Sequence, residues 1–424
     1  MAGVKISRIE TLWFDQLPDA EWERLHGAGR QVLPNNLWVE IHTDEGLVGL
    51  GETYYAPRAV SAIIHDFYAP LLIGRSALDI ENHWQNLFAL VNFCGHAGAE
   101  MRALSAIDIA LWDLFGQYTG QPIFQLLGGR SRTSIAVYNT CVGYGKHSED
   151  TEMWLGGRAA DLAKELRDQG ILAMKIWPFD RFGETLAGPD HPKEDVKIWG
   201  QATAAGSLAH SLSDRDLARG LKIVEDIRSA VPEMKIAIEG HARWSLPSAI
   251  RIARALEPFD ILWLEEIMPP DNVEAYVRLK SETSVPICQS ERLLSKYAFR
   301  PFIEQHAADI IMPDLSWCGG LTEGRKIAAM ADTYYLPVTC HDTIGPVALI
   351  AASHLMHHIP NALIMETVRG YLDGWYQDVI TGGVEVTDGV LTLSGAPGLG
   401  TALRPDLRER PGVRIEVSDN PLIH

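Results

Sequence analysis

The sequence predicts a TIM-type (β/α)8 barrel joined to an α+β capping domain. Eight short apolar, β-branched segments alternate with helical segments between residues 134 and 366. The last six reach their acidic or histidine ends every 23 to 27 residues, which is the length that one βα unit needs. Eight such units close into a barrel whose catalytic groups gather at the C-terminal ends of the strands. An open doubly wound sheet is the alternative, but it would spread those ends along an edge.

Chain length and composition set the domain organisation. With 424 residues, 46% of them hydrophobic, the chain is long enough for two packed domains. We predict a capping domain over residues 1–130, a barrel over 131–378 and a C-terminal return to the capping domain over 379–424. The net charge of −18 argues against nucleic acid or an anionic membrane as a partner.

Targeting signals and cysteine usage bear on where the protein works. The N-terminus lacks the continuous apolar core of a signal peptide, and the most apolar run, from Val347, is too short to span a membrane. Five cysteines without paired spacing fit a reducing compartment, so we expect a cytoplasmic protein. Cys340 precedes a candidate catalytic histidine, and a small buried filler is a simpler interpretation of it than a nucleophile.

The first 130 residues read as a small sheet followed by helices. Period-two alternation predicts the strands, and helical spacing of apolar residues predicts the helices. The predicted elements are strands at 5–14, 37–43 and 47–52 and helices within 57–72, within 78–93 and over about 101–117. Asp44-Glu45-Gly46 supplies a hairpin turn, whereas the polar, Gly- and Pro-rich stretch 15–36 reads as a mobile loop.

The remaining chain alternates strands with helices, apart from one insertion and the tail. The predicted barrel strands are 134–140, 171–177, 235–239, 261–265, 285–289, 308–314, 336–341 and 362–366. The insertion at 178–212, which contains His191 and His210, is far longer than an ordinary βα loop. It is either surface decoration or a wall or lid of the pocket. Short strands within 380–420 are not needed by a barrel, and we assign them to the capping domain.

Three carboxylates stand where consecutive barrel strands end. Glu239, Glu265 and Glu291 follow short apolar runs, and both intervals between them are 26 residues. Neighbouring parallel strands end side by side, so these groups converge, and like charges that close repel unless a cation lies between them. Oxygen ligands alone suit a hard ion, Mg²⁺ first and Mn²⁺ second. The pattern predicts a metal site.

An aspartate and a histidine end the sixth and seventh strands. Neighbouring strands lie about 5 Å apart, so Asp314 can hydrogen-bond His341, fix its tautomer and raise its basicity. A general base beside a divalent ion suits removal of the proton α to a carboxylate, because the ion stabilises the resulting enediolate. Lys175 could instead be the Schiff-base lysine of an aldolase barrel, but that would leave the three carboxylates unexplained.

This constellation resembles the enolase superfamily, in its mandelate racemase branch, over essentially the whole chain. The motifs that carry the resemblance are SAIDIALWD (105–113), WLEE (263–266), SER (290–292), IMPD (311–314), CGG (318–320), TCH (339–341) and PGLG (397–400). Enzymes of this type use a lysine or histidine base together with Mg²⁺. By the resemblance, Glu239, Glu265 and Glu291 are the metal ligands, and His341 with Asp314 is the base pair.

The resemblance also implies roles for other residues. Glu366 would hydrogen-bond the substrate carboxylate on the side away from the base, and Lys175 would hydrogen-bond or polarise the same group. The capping domain would close the pocket and help to select the substrate. Trp177, Arg292 and Tyr54 are the candidates for substrate contact.

Three positions bear on which member of the branch this is. Racemases of this type carry a second lysine two residues after the first, where this chain has Trp177. His241 stands two residues after the first ligand, as in galactonate-type dehydratases. Because hydroxide is a poor leaving group, elimination needs a proton donor, which His241 can supply, although it could also simply line the pocket. Glu239 replaces the aspartate that is commoner in the family and lengthens that arm by one methylene.

The leading hypothesis is therefore a lyase, a Mg²⁺-dependent acid-sugar dehydratase that turns a sugar acid into a 2-keto-3-deoxy acid. An epimerase or racemase with His241 as its second base is the runner-up. A binding protein that has lost turnover is a third reading, motivated by Trp177 and Glu239. The expected partner is a small sugar acid. We also expect a homo-oligomer, whose size the sequence does not give.

Overall fold

The computed structural model describes residues 4–15, 35–182, 196–198, 201–203 and 211–419. Almost all of the stretch predicted to be a mobile loop lies outside the described residues, as do His191 and His210 of the insertion. The described part of the insertion contains a 3-10 turn, Asp180–Phe182, and two paired short strands, Val196–Ile198 and Gln201–Thr203.

The N-terminal region forms a four-stranded antiparallel sheet with helices against it. In spatial order its strands are Val413–Ser418, Ile6–Phe14, Asn36–Thr43 and Val48–Tyr54. The helices are Pro57–Ile63, Ala69–Leu72, Ile80–Leu90, Ala99–Thr119 and Ile123–Leu126, with a π turn at Ile64–Tyr68. The three strands and three helical regions predicted for this part of the chain are confirmed.

Close packing of the sheet against the long helix depends on two small-residue patterns. Gly49 and Gly51 lie two residues apart and so face the same side of their strand. Ala106 and Ala110 lie four residues apart and so share one face of the helix. A Cβ at Gly51 would lie 1.9 Å from the Ala106 carbonyl oxygen, and one at Gly49 would lie 2.2 Å from that of Ala110. Any side chain here would push the helix off the sheet.

The second unit is a closed barrel of eight parallel strands, as the sequence predicts. In chain order the strands are Ile135–Thr140, Ala173–Ile176, Lys235–Glu239, Trp263–Glu265, Ile287–Gln289, Ile310–Ile311, Val338–Cys340 and Ala362–Thr367. The eighth strand pairs with the first and closes the barrel. Buried side chains such as Tyr138, Ala237 and Trp263 pack together in its interior. The strand ends therefore surround one mouth.

Helices surround the barrel. They are Asp150–Leu155, Ala159–Asp168, Asp214–Ala230, Leu246–Leu256, Val273–Lys280, Ser295–Glu304, Gly320–Thr333, Pro346–His358, Arg369–Leu372 and Tyr376–Val379. Among the described residues, no helix combines the length and the apolar character needed to cross a membrane. The run from Val347 that the sequence shows as most apolar forms the buried helix Pro346–His358, which connects the seventh strand to the eighth.

The C-terminal tail divides between the two units. Strand Val413–Ser418 pairs with Ile6–Phe14 and so joins the capping sheet. The hairpin Val384–Thr387 and Val390–Leu393 does not, because Val390 and Leu391 pair antiparallel with the first barrel strand. Our assignment of this hairpin to the capping domain is wrong, since strand character alone does not identify the edge on which a strand docks. The residue boundaries of the domains stay a prediction.

Replacing Gly51 by alanine tests the contact between the capping sheet and its long helix. We expect Gly51→Ala to lower the free energy of unfolding by about 3 kcal/mol, because the helix backbone must move to admit a methyl group. The matched control is Gly395→Ala, where a Cβ meets nothing within 4 Å. Denaturant unfolding followed by circular dichroism measures both variants. Equal stability of the two would contradict the packing argument.

Candidate active site

The three predicted carboxylates converge at the mouth of the barrel. Glu239 and Glu265 end adjacent strands in register, and Glu291 lies two residues beyond the end of the next. One oxygen from each carboxylate lies within 4.8 Å of the others, and the three side chains are buried or nearly so. This group could hold a metal ion, and three carboxylates offer the oxygen donors that hard divalent cations prefer. The residues therefore fit the ion that the sequence predicts.

One lysine partly neutralises this negative charge. Lys175 Nζ lies 2.7 Å from Glu265 Oε1, 2.8 Å from Glu366 Oε1 and 3.8 Å from Glu239 Oε2. Burial and the neighbouring Glu239 raise the pKa of Glu265 to about 8 despite the lysine. Burial also raises the pKa of Glu291. A single ammonium group is thus too little for the surrounding carboxylates, which favours a further cation.

Glu366 differs from Glu265 and Glu291 in that its pKa is lowered. Burial works against its ionisation, but Lys175 and then His341 lower the pKa of Glu366 to about 2. Thr140 donates its hydroxyl to Oε1, and the Asp342 amide donates to Oε2 at 2.8 Å. Glu366 is thus an anchored anion at the end of the eighth strand. Thr140 was not predicted, because a threonine ending a strand is too common to mark a site.

The predicted pairing of Asp314 with His341 is present. His341 Nδ1 lies 2.6 Å from Asp314 Oδ2, and Asp314 Oδ1 accepts from the amide and hydroxyl of Ser316 at 2.7 and 2.6 Å. The other ring nitrogen, Nε2, lies 3.2 Å from Glu291 Oε2. Burial alone would lower the pKa of His341, but Glu291, Glu366 and Asp314 outweigh it and raise that pKa to about 10. Asp314 thus orients the imidazole, and Nε2, which also lies 3.2 Å from Thr343 Oγ1, faces the cluster of three carboxylates.

A second histidine–aspartate pair lies across the mouth. His241 Nδ1 is hydrogen-bonded to Asp180 Oδ2, and the side chain of His241 is 26% exposed. Burial lowers the pKa of His241, but Asp180 and Glu239 raise it overall. The sequence predicts His241, whereas Asp180 was missed because it lies just after the second strand, at the start of the long insertion. An acidic residue five positions after Lys175 was the available signal.

Trp177 occupies the position at which racemases of the branch carry a second lysine. Its ring is buried between His241, at 5.6 Å between centroids, and Trp154, at 4.9 Å. The contact with His241 is edge-on, with 76° between the ring planes. Trp177 therefore borders one candidate catalytic histidine and offers no base of its own.

Residues of both units pack next to His341. The Trp317 ring lies 5.3 Å from that of His341, and the Arg102 guanidinium lies 4.2 Å above Trp317. Arg102 also donates to the carbonyl of Tyr54 at 2.9 Å. Sequence reasoning missed Arg102, since nothing marks one arginine of a capping helix as facing the barrel.

The predicted substrate contacts differ in how they are placed. Tyr54 is nearly buried and packs edge-on against Tyr55 at 4.9 Å. Arg292 is ion-paired with Glu266 and lies 3.5 Å from Glu291. Cys340 is buried, and burial raises the pKa of its thiol, which agrees with the filler interpretation. Substrate contact by Trp177, Arg292 and Tyr54 remains a prediction.

A second cluster of potential ligands lies in the capping sheet. Glu10, Glu40 and His42 also bring ligand atoms within 4.8 Å of one another. There, however, Arg408 pairs with both carboxylates and Arg8 pairs with Glu10 at 2.9 Å. Cations already balance this cluster, so it does not compete with the one at the barrel mouth.

The capping sheet is hydrogen-bonded to the loops that carry the base pair. Thr53 donates to the Ser316 carbonyl at 2.7 Å, and Asn36 donates to the Ile344 carbonyl at 2.9 Å. Glu52, fully buried, accepts from the amides of Val347 and Ala348 at 2.8 and 2.9 Å. It thereby caps the helix Pro346–His358, and its negative charge favours that helix terminus.

Comparison with known proteins identifies the family. A family model described as enolase C-terminal domain-like matches residues 158–407. A second, described as the N-terminal domain of mandelate racemase and muconate lactonizing enzyme, matches residues 33–128. The chain belongs to the enolase superfamily, in its mandelate racemase branch. The predicted family and fold are confirmed.

Relatives within the superfamily include dehydratases. The chain is 30% identical to D-xylonate dehydratase of Haloferax volcanii, over 88% of this chain and 84% of the relative. It is 32% identical to D-galactonate dehydratase of Variovorax paradoxus, over 95% and 93%. A crystal structure of an enolase of the mandelate racemase subgroup from Agrobacterium tumefaciens matches with a TM-score of 0.81 at 39% identity, over 98% and 99%. The predicted enzyme class, a lyase, agrees with these relatives and is confirmed.

Replacing Glu52 tests the link between the capping sheet and the loop after His341. We expect Glu52→Ala to lower the free energy of unfolding by about 3 kcal/mol, because two buried amides lose their acceptor. Burial raises the pKa of Glu52 to about 7, so the charged form of this cap is itself held at a cost. Glu45→Ala, in an exposed turn, is the control and should leave the unfolding curve unchanged. If both variants had the same free energy of unfolding, the hydrogen bonds of Glu52 to the helix would not contribute to stability.

Proposed function

We propose that this protein is a Mg²⁺-dependent dehydratase of a sugar acid. The observation that carries the proposal is the pair of histidine–aspartate contacts, His341–Asp314 and His241–Asp180, on either side of a carboxylate cluster. In a closed barrel of eight strands, the third and seventh lie opposite each other, so the two histidines flank whatever the cluster holds. Relatives named for D-xylonate and D-galactonate support a sugar acid as the substrate class.

The metal-holding residues in this proposal are Glu239, Glu265 and Glu291. A bound Mg²⁺ would supply the positive charge that stabilises the oxygens of an enediolate, and Mn²⁺ is the second choice. The fit rests on the three oxygen donors within 4.8 Å of one another and on their incomplete neutralisation by Lys175. The extra methylene of Glu239 does not prevent convergence, because its carboxylate lies within the cluster.

The chain's own residues carry the proton transfers. In its neutral form His341 takes the proton from C2 through Nε2, while Asp314 holds Nδ1 and stabilises the imidazolium that forms. A cation held by Glu291 would favour that neutral form, because Glu291 is the group that raises the pKa of His341 most. Lys175 and Glu366 lie together at the second and eighth strands, and we assign Lys175 to the substrate carboxylate as a donor, with the ionised Glu366 holding Lys175 in place. The predicted hydrogen bond of Glu366 itself to that carboxylate would need Glu366 to be protonated. The electron pair of the C2–H bond passes into the enediolate and returns to expel the 3-hydroxyl. His241 protonates that group, so water leaves, and the enol formed becomes the 2-keto-3-deoxy acid.

An epimerase is the second candidate, and the same two pairs favour it. Each histidine is held by an aspartate, so each is equipped to act as a base, and the two stand on opposite sides of the barrel mouth. Such an enzyme would exchange the C2 proton and invert the centre without loss of water. Elimination is preferred because the relatives compared are named dehydratases.

The remaining predictions concern the protein's surroundings. A small-molecule substrate agrees with the relatives and with a site enclosed by both units. A homo-oligomer and a cytoplasmic location stay predictions.

A library of sugar acids incubated with the Mg²⁺-loaded protein tests the reaction. We expect at least one aldonate to give a 2-keto acid, trapped with semicarbazide and detected by absorbance. His341→Asn should lower kcat by at least about 100-fold, because the base is removed. If the folded, metal-loaded protein gave no keto product with any sugar acid, the proposal would be wrong. Deuterium uptake at C2 with inversion, and with no keto product, would instead identify an epimerase.

Thermal unfolding with and without Mg²⁺ tests the metal site. Burial and the neighbouring Glu239 raise the pKa of Glu265 from 4.5, the value expected in the unfolded chain, to about 8 in the folded, metal-free protein. The folded state thus holds a proton there that the unfolded chain releases, so this contribution to stability is lost as pH rises from about 4.5 to 8. Mg²⁺ binds only the ionised carboxylate, so we expect it to raise the unfolding midpoint more at pH 8 than at pH 6, as a ligand of the native state does.

Glu265→Gln is the control for the metal experiment. Glutamine keeps the shape of the side chain and one acceptor oxygen, so it can still accept from either Lys175 or Trp263, which donate to different oxygens of Glu265. It removes the ligand charge, so the stabilisation by Mg²⁺ should disappear or shrink at both pH values. An undiminished effect of Mg²⁺ on this variant would place the ion elsewhere.

A further inference from the structure

The backbone around His241 is fixed independently of its side chain. The amide of His241 donates to Glu239 Oε1 at 2.6 Å, and the next amide, of Ala242, donates to the Glu266 carbonyl at 2.6 Å. Both residues have positive φ, 46° and 56°, a region that L residues enter at some cost. The turn after the third strand therefore sets where the imidazole is attached. It does not set which ring nitrogen faces the pocket.

Asp180 supplies the missing constraint. Its carboxylate is buried, with 4% of the side chain exposed, and Oδ2 is hydrogen-bonded to His241 Nδ1. In the described part of the chain, Oδ1 is buried and has no hydrogen-bond partner. Burying a carboxylate is costly unless its oxygens are satisfied, so a group placed only to stabilise the fold would be expected to use both. Among the described residues, His241 is the one side chain to which Asp180 is hydrogen-bonded.

Trp177 limits the ring from another direction. Its edge-on contact with His241 and its own burial against Trp154 leave the imidazole little freedom to turn about its last torsion. The carboxylate on one side and the indole on another favour the ring orientation seen here. In that orientation Nδ1 is held by Asp180, and Nε2 is the nitrogen available to a substrate.

We propose that Asp180 is a positioning residue that holds His241 in the Nδ1–H tautomer and so reserves Nε2 for proton delivery to the leaving hydroxyl. This inference rests on the proposed function. The step balances: His241 enters it as the imidazolium, the Nε2–H bond breaks as the C3–O bond breaks, and the proton joins the departing hydroxide as water. His241 is left neutral, with its remaining proton on the Nδ1 that is hydrogen-bonded to Asp180. Asp180 thus orients the proposed acid, His241, in the way that Asp314 orients the proposed base, His341.

Asp180→Asn tests the proposal, with Asp314→Asn as its matched counterpart. Asparagine is isosteric and can reverse the tautomer by donating to Nδ1. We expect Asp180→Asn to lower kcat for elimination by about 100-fold with KM little changed, while the substrate still takes up deuterium at C2 in D₂O. Asp314→Asn should abolish both reactions, because it disables the base. Asp180→Glu keeps the acceptor and should recover part of the elimination rate that Asp180→Asn loses.

A purely structural role for Asp180 gives a different pattern. Exchange and elimination would then fall together, or the unfolding midpoint of Asp180→Asn would drop, and either result would overturn the proposal. An unchanged elimination rate would overturn it as well.

A measurement without turnover separates this inference from the proposed function. Nitrogen-15 NMR of histidine-labelled protein, at a pH where the ring is neutral, reports the tautomer, and His241→Asn assigns the signal. We expect protonated Nδ1 in the wild type and a changed tautomer in Asp180→Asn. Protonated Nε2 in the wild type would refute the positioning role. If no sugar acid were turned over, the proposed function would fail, while the tautomer would still decide whether Asp180 orients His241.

Discussion

Repulsion between buried carboxylates is the constraint on which the active end of this barrel depends. Two like charges 4 Å apart repel by about 4 kcal/mol at an effective dielectric constant of about 20. Glu239 and Glu265 are brought to such distances because adjacent strands end in register, and Glu291 reaches them from the loop two residues after the next strand. Lys175 contacts Glu265 and Glu366, whereas Glu291 lies 3.5 Å from Arg292 and 3.2 Å from His341 Nε2. A further cation would relieve this repulsion, and the cluster has the oxygen donors that could hold one.

The same closure that concentrates the carboxylates separates the two histidines. Opposite strands of an eight-stranded barrel face each other across its mouth, so groups after the third and seventh strands approach a ligand from different sides. An anti elimination, which removes a proton at one carbon and a hydroxide from the opposite face of the next, is suited to this arrangement of a base and an acid. Both histidines are hydrogen-bonded to an aspartate through Nδ1. They differ in the indole beside them, which is Trp317 for His341 and Trp177 for His241.

How much the sequence could predict follows from how each residue is positioned. The carboxylates and the Asp314–His341 pair lie at or next to strand ends, so regular spacing is enough to bring them together. Asp180 and Arg102 could not be found in this way, since one depends on the path of a turn and the other on how a capping helix docks. The hairpin Val384–Leu393 was assigned to the wrong unit for a related reason: its pairing with the first barrel strand involves only two residue pairs, Val390–Ala136 and Leu391–Ile135.

The capping sheet covers the barrel mouth and also forms hydrogen bonds with the loops that carry the candidate base pair. Thr53 holds the carbonyl of Ser316, and Ser316 in turn donates twice to Asp314. Asn36 and Glu52 hold the loop and helix that follow His341. A displacement of the sheet would therefore be transmitted to both members of the base pair, whereas His241 and Asp180 are bonded within the barrel. Changes in the capping sheet should thus affect proton abstraction more than protonation of the leaving group.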